Sequence, residues 1–101
     1  MSGGVAVAEA QWVGAVTVGI EGVAPAATFS NLPAAVEALW LALRALPLGS
    51  QQYEAYALFF GEGAVERVGR FLSRDGQLQL TFTMAGQSHL VWVRPAERTA
   101  P

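Results

Sequence analysis

The only histidine, His89, is the first candidate for chemistry because it follows a serine, Ser88. Serine and histidine can act as a nucleophile and its base when the two side chains form a hydrogen bond. The surrounding residues predict a β-strand, in which adjacent side chains point to opposite faces of the sheet. We therefore expect His89 to be a residue at the end of a strand and not a catalytic base.

Other catalytic and metal-binding patterns are equally weak. The chain has no cysteine, which excludes disulfides, thiolate chemistry and cysteine-ligated zinc, and one histidine does not favour another transition-metal site. Glu62 and Glu66 would lie on one side of the chain only if their segment were helical. Residues 61–63 lack the downstream pattern of a phosphate-binding loop. We predict no catalytic residue, no metal and no cofactor, and we do not expect an enzyme.

The one charge-dense stretch runs from Glu66 to Asp75 and contains Arg67, Arg70 and Arg74. Two interpretations are open: a solubilising surface whose charges pair with one another, or the polar rim of an interface in which arginines hold the carboxylates of a partner. The net charge of -2 is too neutral for a phosphate-binding surface. We therefore expect no nucleic-acid partner.

The composition is apolar for a soluble domain. Hydrophobic residues make up 52% of the chain and charged residues 14%, whereas charged residues usually make up about a quarter. Either many small residues fill the core, or part of the surface is buried against another subunit or a partner. The length of 101 residues fits one domain, which we place at 5–95 between flexible ends at 1–4 and 96–101.

No segment reads as an export signal or a membrane span. The N-terminal sequence MSGGVAVAEAQ lacks a basic region. The longest apolar run, residues 32–48, is too short to cross a bilayer and is interrupted by Glu37, Arg44 and Pro47. The sequence therefore predicts a cytoplasmic protein with no membrane partner.

The first half of the chain predicts a β-hairpin followed by a helix. Residues 5–20 show a period of two, and a turn and a short return strand at 27–29 follow. Gly14, Gly19 and Ala15 leave little bulk on the other face of the first strand, which suits a close approach by neighbouring backbone or side chains. Asn31 or Ser30 can cap the long apolar helix that follows, with Pro33 in its first turn. Pro47 and Gly49 would end this helix.

The second half predicts a short helix and a three-stranded meander. Residues 51–60 fit both helix and strand, and we favour the helix. The strands are placed at 65–73, 77–85 and 88–94, with turns at Asp75-Gly76 and Gly86-Gln87. The predicted fold is α+β: an antiparallel sheet of about five strands, an N-terminal hairpin plus a C-terminal β-meander, packed against one long apolar helix and one short helix.

Pairing the meander strands through two-residue turns gives the sheet two different faces. One face is apolar and should pack on the long helix. The other face mixes apolar side chains with arginines and hydroxyls, as binding surfaces do. The residues that cover this mixed face could belong to this chain or to another chain. We predict that the residues of this face that bind a protein partner are Val68, Leu72, Leu90, Trp92, Arg94, Arg70 and Glu66.

Three functional hypotheses follow. The first is a non-enzymatic protein-binding module that acts by covering a surface of its partner; a small phage or mobile-element inhibitor, such as an anti-CRISPR protein, is one specific version. This first hypothesis includes a module that acts as a homodimer. The second is a structural or assembly subunit, such as a virion or complex component, that self-associates through the same surface. The third is a binder or enzyme for a small apolar ligand, with a pocket between sheet and helix. The residues expected to line that pocket are Trp12, Trp40, Tyr53 and Tyr56.

Overall fold

The structure, a computed structural model, describes residues 12–96 as four strands and three helices in the order ββαααββ. The strands are β1 (Val16–Ile20), β2 (Ala24–Phe29), β3 (Leu78–Met84) and β4 (Gln87–Pro95). The helices are α1 (Leu32–Arg44), α2 (Ser50–Phe59) and α3 (Ala64–Asp75). The α+β class is confirmed, with four strands in place of about five and three helices in place of two.

The four strands form one antiparallel sheet in the order β2-β1-β4-β3. The two hairpins β1–β2 and β3–β4 therefore come from opposite ends of the described chain and join through β1 and β4. In that central pair, Val18 lies opposite Val93 and Gly19 lies opposite Trp92. The predicted first strand begins at residue 5, and its residues 5–11 lie outside the described range, as do most of the predicted flexible ends. Residues 12–15 of that prediction are not strand, because β1 begins at Val16.

All three helices lie on one side of the sheet. Helix α1 contacts β1 and β2, helix α3 contacts β3 and β4, and the two helices contact each other. The core lies between these layers and is entirely apolar among residues 12–96. Its sheet side is formed by Val16, Val18, Ile20, Leu78, Phe82, Val91 and Val93, and its helix side includes Leu32, Leu39, Leu43, Ala64, Val68 and Leu72.

The predicted long helix is confirmed as α1. The side chain of Asn31 accepts a hydrogen bond from the backbone N–H of Ala34 at 2.8 Å, and Pro33 stands in the first turn. These two features satisfy or remove N–H groups that a helix start leaves without partners. The helix ends at Arg44, shortly before Pro47. The predicted short helix is also confirmed, as α2.

The predicted strand at residues 65–73 is wrong, because this segment is helix α3. Ala64, Val68 and Leu72 recur every four residues and bury one helical face, which a strand could not do. The pair Asp75-Gly76 does not turn a hairpin. Gly76 has a φ of 81° and its N–H bonds to the carbonyl of Leu72 at 3.0 Å, so it ends the helix. A hairpin turn and a helix end can both need positive φ here, and the dipeptide alone fits either.

The hairpin of β3 and β4 is confirmed with a different turn. The turn residues are Ala85 and Gly86, with φ values of 54° and 78°, and not Gly86-Gln87. Thr81 therefore lies opposite Leu90 and not opposite Trp92 as predicted. The shift amounts to two residues, and a shift by two leaves every side chain on its predicted face.

No helix among residues 12–96 combines the length and the apolar character needed to cross a membrane.

Candidate functional site

The sheet face that points away from the helices, called the outer face below, is the candidate site. Alternate residues of each strand point toward the helices, so the residues between them point outward. No helix of the described chain lies on this side. The outer face carries Thr17 and Gly19 of β1, Thr28 of β2, Gln79, Thr81 and Thr83 of β3, and Ser88, Leu90, Trp92 and Arg94 of β4.

Trp92 lies directly over Gly19 of the neighbouring strand. A Cβ atom built on Gly19 would lie only 2.5 Å from Cζ2 of the indole, closer than two non-bonded carbon atoms can approach. Gly19 is buried although it belongs to the outer face, and Trp92 is itself partly buried. The indole is thus covered on one side by the backbone of its own chain. The backbone of Gly19 is therefore part of the cover of Trp92 on this face of the sheet.

Arg94 is the second neighbour of the indole. Its Cζ atom lies 4.3 Å from the centroid of the Trp92 ring, and its Nε–H donates to Oε1 of Gln77 at 3.3 Å. A guanidinium over an exposed aromatic ring contributes about 0.5–1 kcal/mol. These two contacts hold an always-charged group beside an apolar one, and Leu90 extends the apolar part.

Hydroxyl and amide side chains surround this centre. The hydroxyls of Thr17 and Thr28 form a hydrogen bond of 2.8 Å across the β1–β2 pair. Gln79, Thr81 and Thr83 are exposed along β3. Such groups can donate or accept hydrogen bonds around an apolar centre, as the rim of a protein interface does.

Four of the seven predicted site residues do not belong to the outer face. Val68 and Leu72 are 0% and 2% exposed and pack in the core. Glu66 and Arg70 are exposed, but they lie on α3 in the helix layer. A strand at residues 65–73 would place all four on the face of Trp92, whereas the observed helix places them in the other layer. Leu90, Trp92 and Arg94 are brought together on the outer face.

The sequence predicted only one of the two residues in the contact between Gly19 and Trp92. The small residues Gly14, Gly19 and Ala15 predict a close approach, and the structure shows a tight one at Gly19 but not at Gly14. Its partner could not be named because the pairing of β1 with β4 joins residues far apart in the chain. The contact between Gln77 and Arg94 was missed, and both residues lie at the ends of predicted strands without a local signal.

Helix α2 covers the free edge of the sheet at β3. The side-chain amide of Gln52 donates to the carbonyl of Thr83 and accepts from the N–H of Thr83, both at 2.7 Å. The hydroxyl of Tyr56 donates to the carbonyl of Thr81 at 2.8 Å, and burial raises the pKa of this phenol. An uncovered strand edge can pair with another chain. These contacts occupy part of that edge, so β3 presents mainly its outer face to a partner.

The aromatic residues expected to line one ligand pocket are distributed differently. Trp40 lines a groove of about 350 Å³ between α1 and the start of α3. Trp12 lines an adjacent depression. Tyr53 packs on the ring of Trp40, with ring centroids 5.6 Å apart, and Tyr56 points to the edge of β3. The four side chains therefore do not line one cavity between sheet and helix.

His89 and Ser88 are not arranged as a base and a nucleophile. Nδ1 of His89 lies 3.0 Å from the carbonyl oxygen of Glu21, and the ring stacks on Phe82 with centroids 5.2 Å apart. Ser88 points to the other face of β4. Within residues 12–96, no group of three or more acidic or histidine side chains could hold a metal ion.

Comparison with protein-family models, with curated proteins and with solved structures gave no match in any of the three searches. The geometry of the outer face is therefore the basis for a functional proposal.

Proposed function

We propose that this chain is a non-enzymatic protein-binding module whose outer face covers a surface of a protein partner. One observation carries the proposal: Trp92 is held against the backbone of Gly19 on a sheet face that no described helix covers. Tryptophan and arginine are the side chains that most often supply binding energy. Arg94 stands beside the indole, so both types occur at the centre of this face.

The chemistry of the centre indicates the kind of partner surface that fits. Arg94 can hold a carboxylate through two parallel N–H donors. Leu90 and the open part of the Trp92 ring accept an apolar side chain. We therefore propose a partner surface that presents a carboxylate next to an apolar residue. Hydroxyls and amides of the rim would complete the contact.

The energy available from the tryptophan is moderate. Because Trp92 is partly buried in the free protein, a partner can cover only the remaining area. At about 25 cal/mol per Å², that area is worth on the order of 1–2 kcal/mol. The fixed position of the ring adds to this, since little side-chain freedom is lost on binding.

The alternative is self-association through the opposite edge of the sheet. Most residues of β2 are exposed and small, and one edge of this strand has no partner among residues 12–96. Pro25 lacks an N–H, and the pairing with β1 is irregular between Val18 and Ile20. Both features oppose further pairing at that end of the edge. A second copy could pair only along the remainder of β2.

The test is the substitution Trp92→Ala with Leu58→Ala as the matched control. Leu58 is 79% exposed on α2, in the helix layer and away from the outer face. Each immobilised variant is incubated with a lysate of the source cell, and the captured proteins are quantified. We expect capture by the wild type and by Leu58→Ala, and its loss with Trp92→Ala.

Unfolding of the same variants by urea separates binding from stability. The proposal predicts that Trp92→Ala changes binding much more than the free energy of unfolding. A collapse of stability with unchanged capture would show that Trp92 is only a structural residue and that the proposal is wrong.

A further inference from the structure

Helix α3 places three arginines on one stripe, of which Arg70 and Arg74 are exposed and Arg67 is half-buried. Arg67, Arg70 and Arg74 stand at positions i, i+3 and i+7, so they fall within about 60° of one another around the helix axis. The buried residues Val68 and Leu72 lie on the opposite side of the same helix. We call the three arginines the α3 basic face. It exists only because this segment is a helix, since a strand would have divided these side chains between two faces.

Two of the three guanidinium groups are held over aromatic rings. Cζ of Arg67 lies 5.6 Å from the ring centroid of Phe59, and Cζ of Arg74 lies 4.9 Å from that of Phe71. Arg67 also donates to the carbonyls of Phe59 and Glu62. These contacts restrict the side chains before any ligand binds, which lowers the entropy lost on binding.

The positive charge of this face is only partly compensated. Within residues 12–96 the one salt bridge joins Arg74 to Asp75 at 3.0 Å, and both side chains are well exposed. Arg70 is exposed and has no ion pair in this range. Glu66, one turn before Arg70, instead lines the grooves beside Trp40 and Trp12. Three arginines against the two carboxylates of the same helix, Glu66 and Asp75, leave a local charge of +1 in a chain whose net charge is -2.

The same side chains line a shallow depression on the surface. It has a volume of about 500 Å³ and is formed by the three arginines with Phe71 and Ser73. Guanidinium groups around an aromatic floor and a hydroxyl can receive anionic side chains with short apolar stems. The depression lies in the helix layer, on the side of the molecule away from the outer face.

We propose that the α3 basic face is a second binding surface, which takes an acidic segment of a protein partner. Seven residues of helix rise by about 10 Å, a length that matches glutamates placed at i, i+3 and i+7 on a partner helix. Arginine binds carboxylates through paired donors, and such bonds are stronger than neutral ones. The proposal does not depend on the outer face having a partner.

A protein partner fits this face better than a nucleic acid does. Phosphate backbones are followed by many cations along an extended path. Here the three arginines cover about two helical turns. Of the other arginines that the structure describes, Arg44 belongs to α1 and Arg94 to the outer face. A short acidic segment matches this limited surface.

The test uses a fluorescent 15-residue helical peptide with glutamates at i, i+3 and i+7, and the same peptide with glutamines. Binding is measured by fluorescence anisotropy at low and at high salt. We expect the wild type to bind the glutamate peptide saturably and more weakly as salt rises. The double variant Arg70→Ala, Arg74→Ala should bind about two- to thirtyfold more weakly, because two exposed ion pairs are lost. Arg67 is kept because it bonds the backbone before α3.

Two control variants and a competitor give the opposing outcomes. Arg44→Ala removes an exposed arginine outside the face and should leave binding unchanged. Trp92→Ala should also leave it unchanged, which separates this proposal from the function of the outer face. Equal binding of the glutamine peptide, or an equal loss with Arg44→Ala, would overturn the proposal. So would a single-stranded 15-mer DNA that binds more tightly through the same arginines, since the face would then be a nucleic-acid site.

Discussion

At position 19 the absence of a side chain lets the Trp92 indole reach the backbone of β1. Any other residue would place a Cβ atom within 2.9 Å of three atoms of the indole, too close for non-bonded atoms. The atoms that would be displaced belong to the far end of a side chain, so the ring can swing outward while the strand stays in place. Gly19 therefore controls the position of Trp92 more than it controls the stability of the sheet.

Gly19→Ala should displace the indole at a cost of roughly 1 kcal/mol in the free energy of unfolding, the low end for overpacking. The measurement is iodide quenching of tryptophan fluorescence, taken as the difference between each protein and its Trp92→Phe version to remove the signals of Trp12 and Trp40. Quenching of Trp92 should increase. Unchanged quenching would mean that the indole does not rest on Gly19.

At the scale of elements, α2 and α3 differ in how they are held. Helix α3 buries a full apolar face, whereas Tyr56 is the one buried side chain within α2. Helix α2 is joined to the sheet by the hydrogen bonds of Gln52 and Tyr56 to β3. Removing the hydroxyl of Tyr56 therefore tests how much the attachment of α2 to the sheet contributes to stability.

Tyr56→Phe should lower the free energy of unfolding by about 0.5–1.5 kcal/mol at neutral pH, the usual value of one hydrogen bond. Burial raises the pKa of Tyr56 in the folded protein, so above about pH 10 the unfolded chain ionises first and stability falls. This contribution to the loss of stability at alkaline pH should be absent in Tyr56→Phe. Urea unfolding of both proteins at pH 7 and pH 11 measures this difference. An equal fall in the free energy of unfolding in the two proteins would show that the ionisation of Tyr56 does not cause it.

The element that sequence reasoning placed wrongly, α3, carried a usable signal. Val65, Val68 and Leu72 recur at spacings of three and four, which is the period of a helix. The prediction followed the hairpin signal of Asp75-Gly76 instead, although a helix end can use the same positive φ. This error also affects the predicted site, because a strand at 65–73 would place Val68, Leu72, Arg70 and Glu66 on the outer face instead of in the helix layer.

At the scale of the whole molecule, both edges of the sheet are partly protected and the two candidate surfaces face opposite ways. Gln52 and Tyr56 cover β3, while Pro25 and an irregular pairing limit β2. The outer face and the α3 basic face lie on different layers. A chain built this way could contact two acidic partner surfaces at once without one contact blocking the other.

The protection of both edges predicts a monomer in solution. Sedimentation equilibrium over a hundredfold range of concentration should give a mass near 10.7 kDa throughout. A mass that rises to twice this value would favour the self-associating subunit. In that case Ala26→Lys on the exposed β2 should restore the monomer, because a charge opposes pairing at a strand edge.

The sequence by itself determined the elements whose signals are local. The Asn31 cap and Pro33 fixed the start of α1, and the alternation in β3 and β4 fixed which side chains face the core even though the register was wrong by two. Tertiary structure alone decided that β1 pairs with β4, that Trp92 rests on Gly19, and that all helices share one side of the sheet. The physical reason is that capping and alternation act between near neighbours, whereas strand partners and layers are chosen by burial between residues far apart in the chain.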